Sequence, residues 1–157
     1  MSDKTGATLR LERLIPMEPD RLFALWTDPA ELAKWWAPEG YEASVHLLDG
    51  RSGGRWRVTM RRADGGEVAT SGVYRIVDPP RRLSFTWAWE DAGGARGHET
   101  EVTVSFEATP GGTRLVLLQQ RLDSVLARDN HGRGWSASFD RMAAMAGRDA
   151  SARGTGP

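Results

Sequence analysis

Three histidines, His46, His98 and His131, are the chain's only imidazoles, and it contains no cysteine. Thiolate nucleophiles and disulfides are therefore excluded, and any proton transfer would fall to an imidazole or a carboxylate. His98-Glu99-Thr100-Glu101 gathers metal-type ligands in four positions. It lacks the second histidine at i+4 that the zinc-protease pattern uses to put two ligands on one helix face. It also lies at a hairpin mouth, where a solvated charged turn is the better reading. His46 alternates with Val45 and Leu47, which turns it outward. His131 precedes Trp135 by one helical turn, so both can face the same way. Its imidazole either binds or protonates a ligand, or lies on a helix surface beside a cavity mouth. Gln119 follows Leu115 and Leu117 in alternation, which sets an amide on an apolar face. A buried amide needs a partner: a ligand, a water or a neighbouring side chain. Gly132-Arg133-Gly134-Trp135-Ser136-Ala137 spells a dinucleotide fingerprint but opens no parallel strand–helix unit, so that reading is rejected. There is no phosphate-cradling Gly-Lys-Ser/Thr loop and no nucleophile elbow around a serine. The sequence leads us to expect no catalytic residue, no metal and no cofactor.

The surrounding chain has 157 residues, the size of one domain with a sizeable core. Hydrophobic residues make up 39% and charged ones 27%, the balance of a globular protein. Lys+Arg and Asp+Glu are both 21, so no net basic charge points to nucleic acid. No apolar run approaches the ~20 residues of a membrane span. The segment Met1 to Leu11 has no apolar signal-peptide core, which predicts a cytoplasmic protein. Arg51, Arg55, Arg57, Arg61 and Arg62 surround Trp56, but alternation sends Arg55, Arg57 and Arg61 to a wet face and Trp56 inward.

The elements follow from periodicity. Residues 1–7 read as a flexible tail, 8–147 as a single domain and 148–157 as a second flexible tail. Thr8 to Ile15 is a first strand, with Leu9, Leu11 and Arg13 on one face. Two short helices follow over 19–37: Pro19 suits a first helical position, Asp28 a second N-cap, and Pro38 a stop. The period then changes from 3.6 to 2. Strands are predicted over 42–48, 55–62, 67–77, 82–90, 99–108 and 113–122, divided by Gly- and Pro-rich turns. Gly72, Tyr74 and Ile76 should share one face. The last segment, from about Ser124 to Ala146, is a helix carrying Leu126, His131, Trp135, Phe139 and Met142 inward, with Gly147 as its C-cap.

The predicted architecture is α+β: a curved antiparallel sheet of six to seven strands around a long C-terminal helix. A sheet of that width must twist and curl. A single helix about 10 Å wide cannot fill its concave side. The chain also has seven tryptophans, large rings with one polar N–H each. These facts predict an apolar cavity between sheet and helix. Its expected walls are Trp35, Trp56, Met60, Phe85, Trp87, Trp135, Phe139 and Met142, with Tyr74, Gln119 and His131 as polar anchors; Trp89, at a strand end, is expected at the rim.

Trp26-Thr27-Asp28-Pro29, Leu32, Trp35-Trp36-Ala37-Pro38 and Asp49-Gly50-Arg51-Ser52-Gly53-Gly54-Arg55-Trp56 resemble the bacterial proteins related to the activator of the heat-shock-protein-90 ATPase. Gly72-Val73-Tyr74, the run from Pro79 to Trp87, and Gly134-Trp135 continue the likeness, which spans about residues 9 to 146. The resemblance implies the START-like (SRPBCC) helix-grip fold, whose members include lipid carriers, cyclases and hormone receptors. Fold alone does not choose among these. The leading expectation is binding of a small hydrophobic or aromatic ligand. The alternatives are a co-chaperone or stress-response protein that engages a chaperone, and a cyclase- or hydrolase-like enzyme using His131. No nucleic-acid partner is expected, and the protein is expected to be a monomer or homodimer.

Overall fold

The computed structural model describes residues 7–37, 40–91 and 93–154, with side chains placed as far as residue 147. Residues 1–6 and 155–157 of the expected tails, and the helix stop Pro38, lie outside the described residues. The elements are β1 (Ala7–Ile15), α1 (Pro19–Thr27), α2 (Pro29–Trp36), β2 (Tyr41–Leu48), β3 (Arg55–Arg62), β4 (Glu67–Asp78), β5 (Arg82–Glu90), β6 (Thr100–Thr109), β7 (Gly112–Leu122) and α3 (Val125–Gly154). The strands form one seven-stranded sheet in the order β1-β7-β6-β5-β4-β3-β2. Every neighbouring pair is antiparallel. Strands β2 to β7 are a simple meander, each lying beside the next in chain order. Strand β1 returns to the free edge of β7, with Ile15 opposite Thr113 and Leu9 opposite Gln119.

The two short helices form where the sequence marks their starts. Pro19 and Pro29 open α1 and α2, where a missing N–H costs nothing. The Asp28 carboxylate accepts from the backbone N–H groups of Ala30 and Glu31 at 2.9 and 3.3 Å, capping α2. Each helix buries one stripe, Leu22, Phe23, Leu25 and Trp26 on α1 and Leu32, Trp35 and Trp36 on α2. These stripes close one end of the curved sheet.

Helix α3 lies across the concave face, against β1, β7 and α2. That placement follows from side chains. Arg13 of β1 reaches across to Asp140 at 2.6 Å and Ser136 at 3.2 Å, and its guanidinium lies 5.8 Å above the Phe139 ring. Helix and sheet therefore meet tightly on the β1–β7 side and diverge toward β3, β4 and β5.

Three local expectations need correction. Helix α3 does not end at Gly147 but continues to Gly154. Nothing at Gly147 forces a left-handed turn, and its position meets no neighbouring atom within 4 Å. Leu126 is not on the buried face but 69% exposed, because the first turn of α3 overhangs the sheet. Ile76 does not share the face of Tyr74. The register slips between Tyr74 and Ile76, and the extra residue turns Ile76 outward to 40% exposure.

The core is largely aromatic. Trp26 is fully buried, with ring centroids of Trp35, Trp135, Phe85 and Phe106 at 4.6, 5.8, 6.3 and 6.3 Å. Trp36 lies edge-on to Trp56 at 5.4 Å and to Trp135 at 5.9 Å. Offset and edge contacts of this kind add ~0.5–1.5 kcal/mol each beyond area burial.

Candidate ligand-binding site

Where α3 and the sheet diverge, a hollow of about 340 Å³ remains. Its sheet wall is Met60 of β3, Thr70 of β4, and Trp87 and Trp89 of β5; Trp36 of α2 closes one end. Its helix wall is the stripe Asn130, His131, Gly134, Trp135, Ala137, Ser138 and Arg141. The helical period explains the stripe: these positions fall one, two and three turns apart on one side of α3. Three of them are Gly, Ala and Ser, so the helix is slimmest where it faces the hollow.

Of the residues expected on the walls, Met60, Trp87, His131 and Trp135 are there. Trp89, expected at a rim, is 45% exposed and lines the opening. The others lie elsewhere. Trp56, Tyr74 and Phe85 converge on a separate void of about 10 Å³, no larger than one water. The Trp56 indole donates to the Thr86 carbonyl at 3.2 Å, and the Tyr74 hydroxyl donates to the Trp26 carbonyl at 3.4 Å. Burial raises the Tyr74 phenol well above its ordinary pKa. Trp35, Phe139 and Met142 are core residues; the Trp35 indole donates to the Leu25 carbonyl at 2.8 Å. Gln119 lies behind Trp135. Its amide nitrogen donates to the Thr100 hydroxyl at 2.8 Å and its oxygen accepts from the Trp135 indole at 2.9 Å. Neighbouring side chains therefore satisfy this amide, and it orients Trp135 rather than contacting the hollow.

Trp36, Thr70, Asn130, Gly134, Ala137, Ser138 and Arg141 were missed. Thr70 has the same parity along its strand as Tyr74, which was a usable signal. The helix stripe was hidden because a search for apolar periodicity passes over Gly, Ser, Asn and Arg.

His131 lies edge-on to Trp87 at 4.7 Å, with Trp89 at 6.4 Å. Burial among these rings lowers its pKa from the ordinary 6.5, partly opposed by the negative charge of Asp123. The imidazole is thus neutral at pH 7. The folded state resists its protonation, whereas the unfolded chain takes up the proton near 6.5. Stability contributed here is full above that pH and falls as pH drops below it. We expect the urea midpoint to decrease between pH 7.5 and 5.5, and His131→Gln to flatten that slope. An identical slope in the variant would remove His131 as its cause.

The other two histidines stay away from the hollow. His46 is exposed and shares a hydrogen bond with the Thr59 hydroxyl at 2.8 Å. A ring nitrogen of His98 bonds the Arg121 carbonyl. The neighbours of His98 diverge: Glu99 pairs with Arg96 at 2.8 Å, Glu101 with Arg121 at 3.3 Å, and Thr100 turns inward. Among the described residues no cluster could hold a metal ion. Among them, too, no helix is long and apolar enough to cross a membrane.

The profile of the family described as Activator of Hsp90 ATPase homolog 1-like protein matches residues 16–147, most of the chain and all of its site-bearing elements. The chain belongs to that family. Solved structures of Activator of Hsp90 ATPase homolog 1-like proteins and their relatives share its helix-grip architecture. The AHSA1 protein of Silicibacter pomeroyi is 35% identical, over 91% of this chain and 99% of that one, with a TM-score of 0.82. A protein of Chromobacterium violaceum is 29% identical, over 88% and 96% of the two chains, with a TM-score of 0.81. No curated protein matches the chain.

Proposed function

We propose that this protein binds a small hydrophobic or aromatic molecule in the hollow between α3 and strands β3 to β5. The observation that carries the reading is the hollow itself: about 340 Å³, walled by Trp36, Met60, Trp87, Trp89 and Trp135. A concave, mostly apolar cleft of this volume with a few polar groups is the usual form of a small-ligand site. At interior packing density, ~0.74, it has room for a guest of one or two rings. The aromatic core behind it is already close-packed, so the walls hold their shape without a guest.

Two of the seven indoles, Trp87 and Trp89, meet at 4.7 Å beside the opening, where a guest would contact them. Titration with a panel of lipids and aromatic compounds should quench tryptophan fluorescence saturably for at least one class. A flat response to every member would remove the ligand-binding reading and leave the family's named chaperone association as the line to pursue, through a chaperone ATPase assay.

A further inference from the structure

The polar groups of the hollow are unevenly charged. Its lining contains no Asp or Glu, and His131 is neutral, so Arg141 supplies the only formal charge among the described wall residues. Arg141 is part-buried. Its Nε donates to the Trp35 carbonyl at 2.8 Å and one Nη2 hydrogen to the Ser138 hydroxyl at 3.1 Å. Both acceptors are neutral. They fix the guanidinium in place at the C-terminal end of α2, whose partial negative charge offsets the cation only in part. The nearest carboxylate in sequence, Asp140, is paired with Arg13 at 2.6 Å and acts on Arg141 through its charge without bonding it. No carboxylate among the described residues forms an ion pair with Arg141. Two of its five N–H donors are committed, which leaves three, both Nη1 hydrogens among them, for a further acceptor.

Thr70 stands in the sheet wall of the same hollow. It is fully buried, and its hydroxyl has no hydrogen-bond partner. The hydroxyl is shielded from the hollow, so a guest lying there does not reach it in this conformation.

We propose that the guest is a small apolar monocarboxylate, its carboxylate received by the free edge of Arg141 and its hydrocarbon body lying against Trp87, Trp89 and Met60. A neutral hydrocarbon would leave the guanidinium partly desolvated and uncompensated, and an amine would be repelled. The inference rests on the ligand-binding reading above but is stricter, because it chooses a charge.

The test uses two matched pairs, 4-phenylbutanoate against 4-phenylbutanamide and 2-naphthoate against 2-naphthamide, titrated into the full chain by calorimetry. The wild-type protein should favour each acid over its amide by roughly tenfold or more, the scale of a hydrogen bond to a charged group. In Arg141→Gln the preference should fall to about onefold, with amide affinity little changed, and Arg141→Lys should restore part of it. Equal wild-type affinity for acid and amide would overturn the carboxylate proposal while leaving the cavity as a site. Binding of neither pair member would overturn both readings. The wild-type ratio decides the question even if an Arg141 variant fails to fold, which circular dichroism would reveal.

Discussion

Gly72→Ala is expected to destabilise the fold by about 3 kcal/mol or more, the upper range for overpacking in a close-packed interior. Gly72 sits in β4 opposite Trp56 of β3. A Cβ there would lie 1.8 Å from the Thr86 carbonyl oxygen and 2.7 Å from the Trp56 indole nitrogen. Neither can yield cheaply. The first is sheet backbone; the second belongs to a ring held at 3.2 Å by that same carbonyl and packed at 5.7 Å against Phe85. The methyl group must therefore push the strands apart or break the indole hydrogen bond, at about 1 kcal/mol for the bond alone. Small domains are stable by only ~5–15 kcal/mol, so the melting temperature should fall by about 10 °C. Gly111→Ala is the control, since nothing lies within 4 Å of its added carbon and its φ is not positive. It should change stability by less than ~0.5 kcal/mol. Equal behaviour of the two variants in urea denaturation would refute this reading of the β3–β4–β5 layer.

Gly134→Leu should do the opposite to stability and weaken binding. Gly134 lies within α3, lines the hollow, and has no atom within 4 Å of an added Cβ. A glycine inside a helix costs ~1 kcal/mol relative to a good helix former, so leucine should leave the protein as stable or stabilise it by up to about that amount. The same side chain intrudes on the space a guest would take. Affinity for a quenching ligand should fall by roughly tenfold or more, the effect of losing well-packed apolar contact. Ala137→Phe, on the same stripe, should act likewise. A Gly134→Leu protein that binds normally would place the guest elsewhere.

The architecture was legible because two periods were visible in the chain. Val102, Val104 and Phe106 alternate cleanly with Glu101, Thr103 and Ser105, and all three apolar residues are buried. Proline and aspartate at 19, 28 and 29 announced the helix starts. What alternation cannot show is a slip in register. The irregularities after Tyr74 and Val45 each move one extra residue outward without any mark in composition. The site was half legible for a related reason. Sequence shows that a residue points inward, but not whether another ring already fills the space in front of it. Trp35, Phe85, Phe139 and Met142 all point inward and are met by the protein's own side chains. Trp87 and His131 point inward where α3 has drawn away toward β1. That asymmetry is set by contacts such as Arg13 with Asp140, 127 positions apart, which no local pattern records. Arg141 was missed because charge on a helix is ordinarily solvated, and only the fold shows that its neighbours are two tryptophan-bearing walls.

The most direct test is to follow the seven indole N–H signals by NMR while 4-phenylbutanoate is added. Trp87 and Trp89, which face the hollow, should move most and together; Trp35, whose indole is held by the Leu25 carbonyl deep in the core, should move least. Signals of Trp87 and Trp89 that stay still while the ligand binds would show that the space beneath α3 is not where this protein receives its guest.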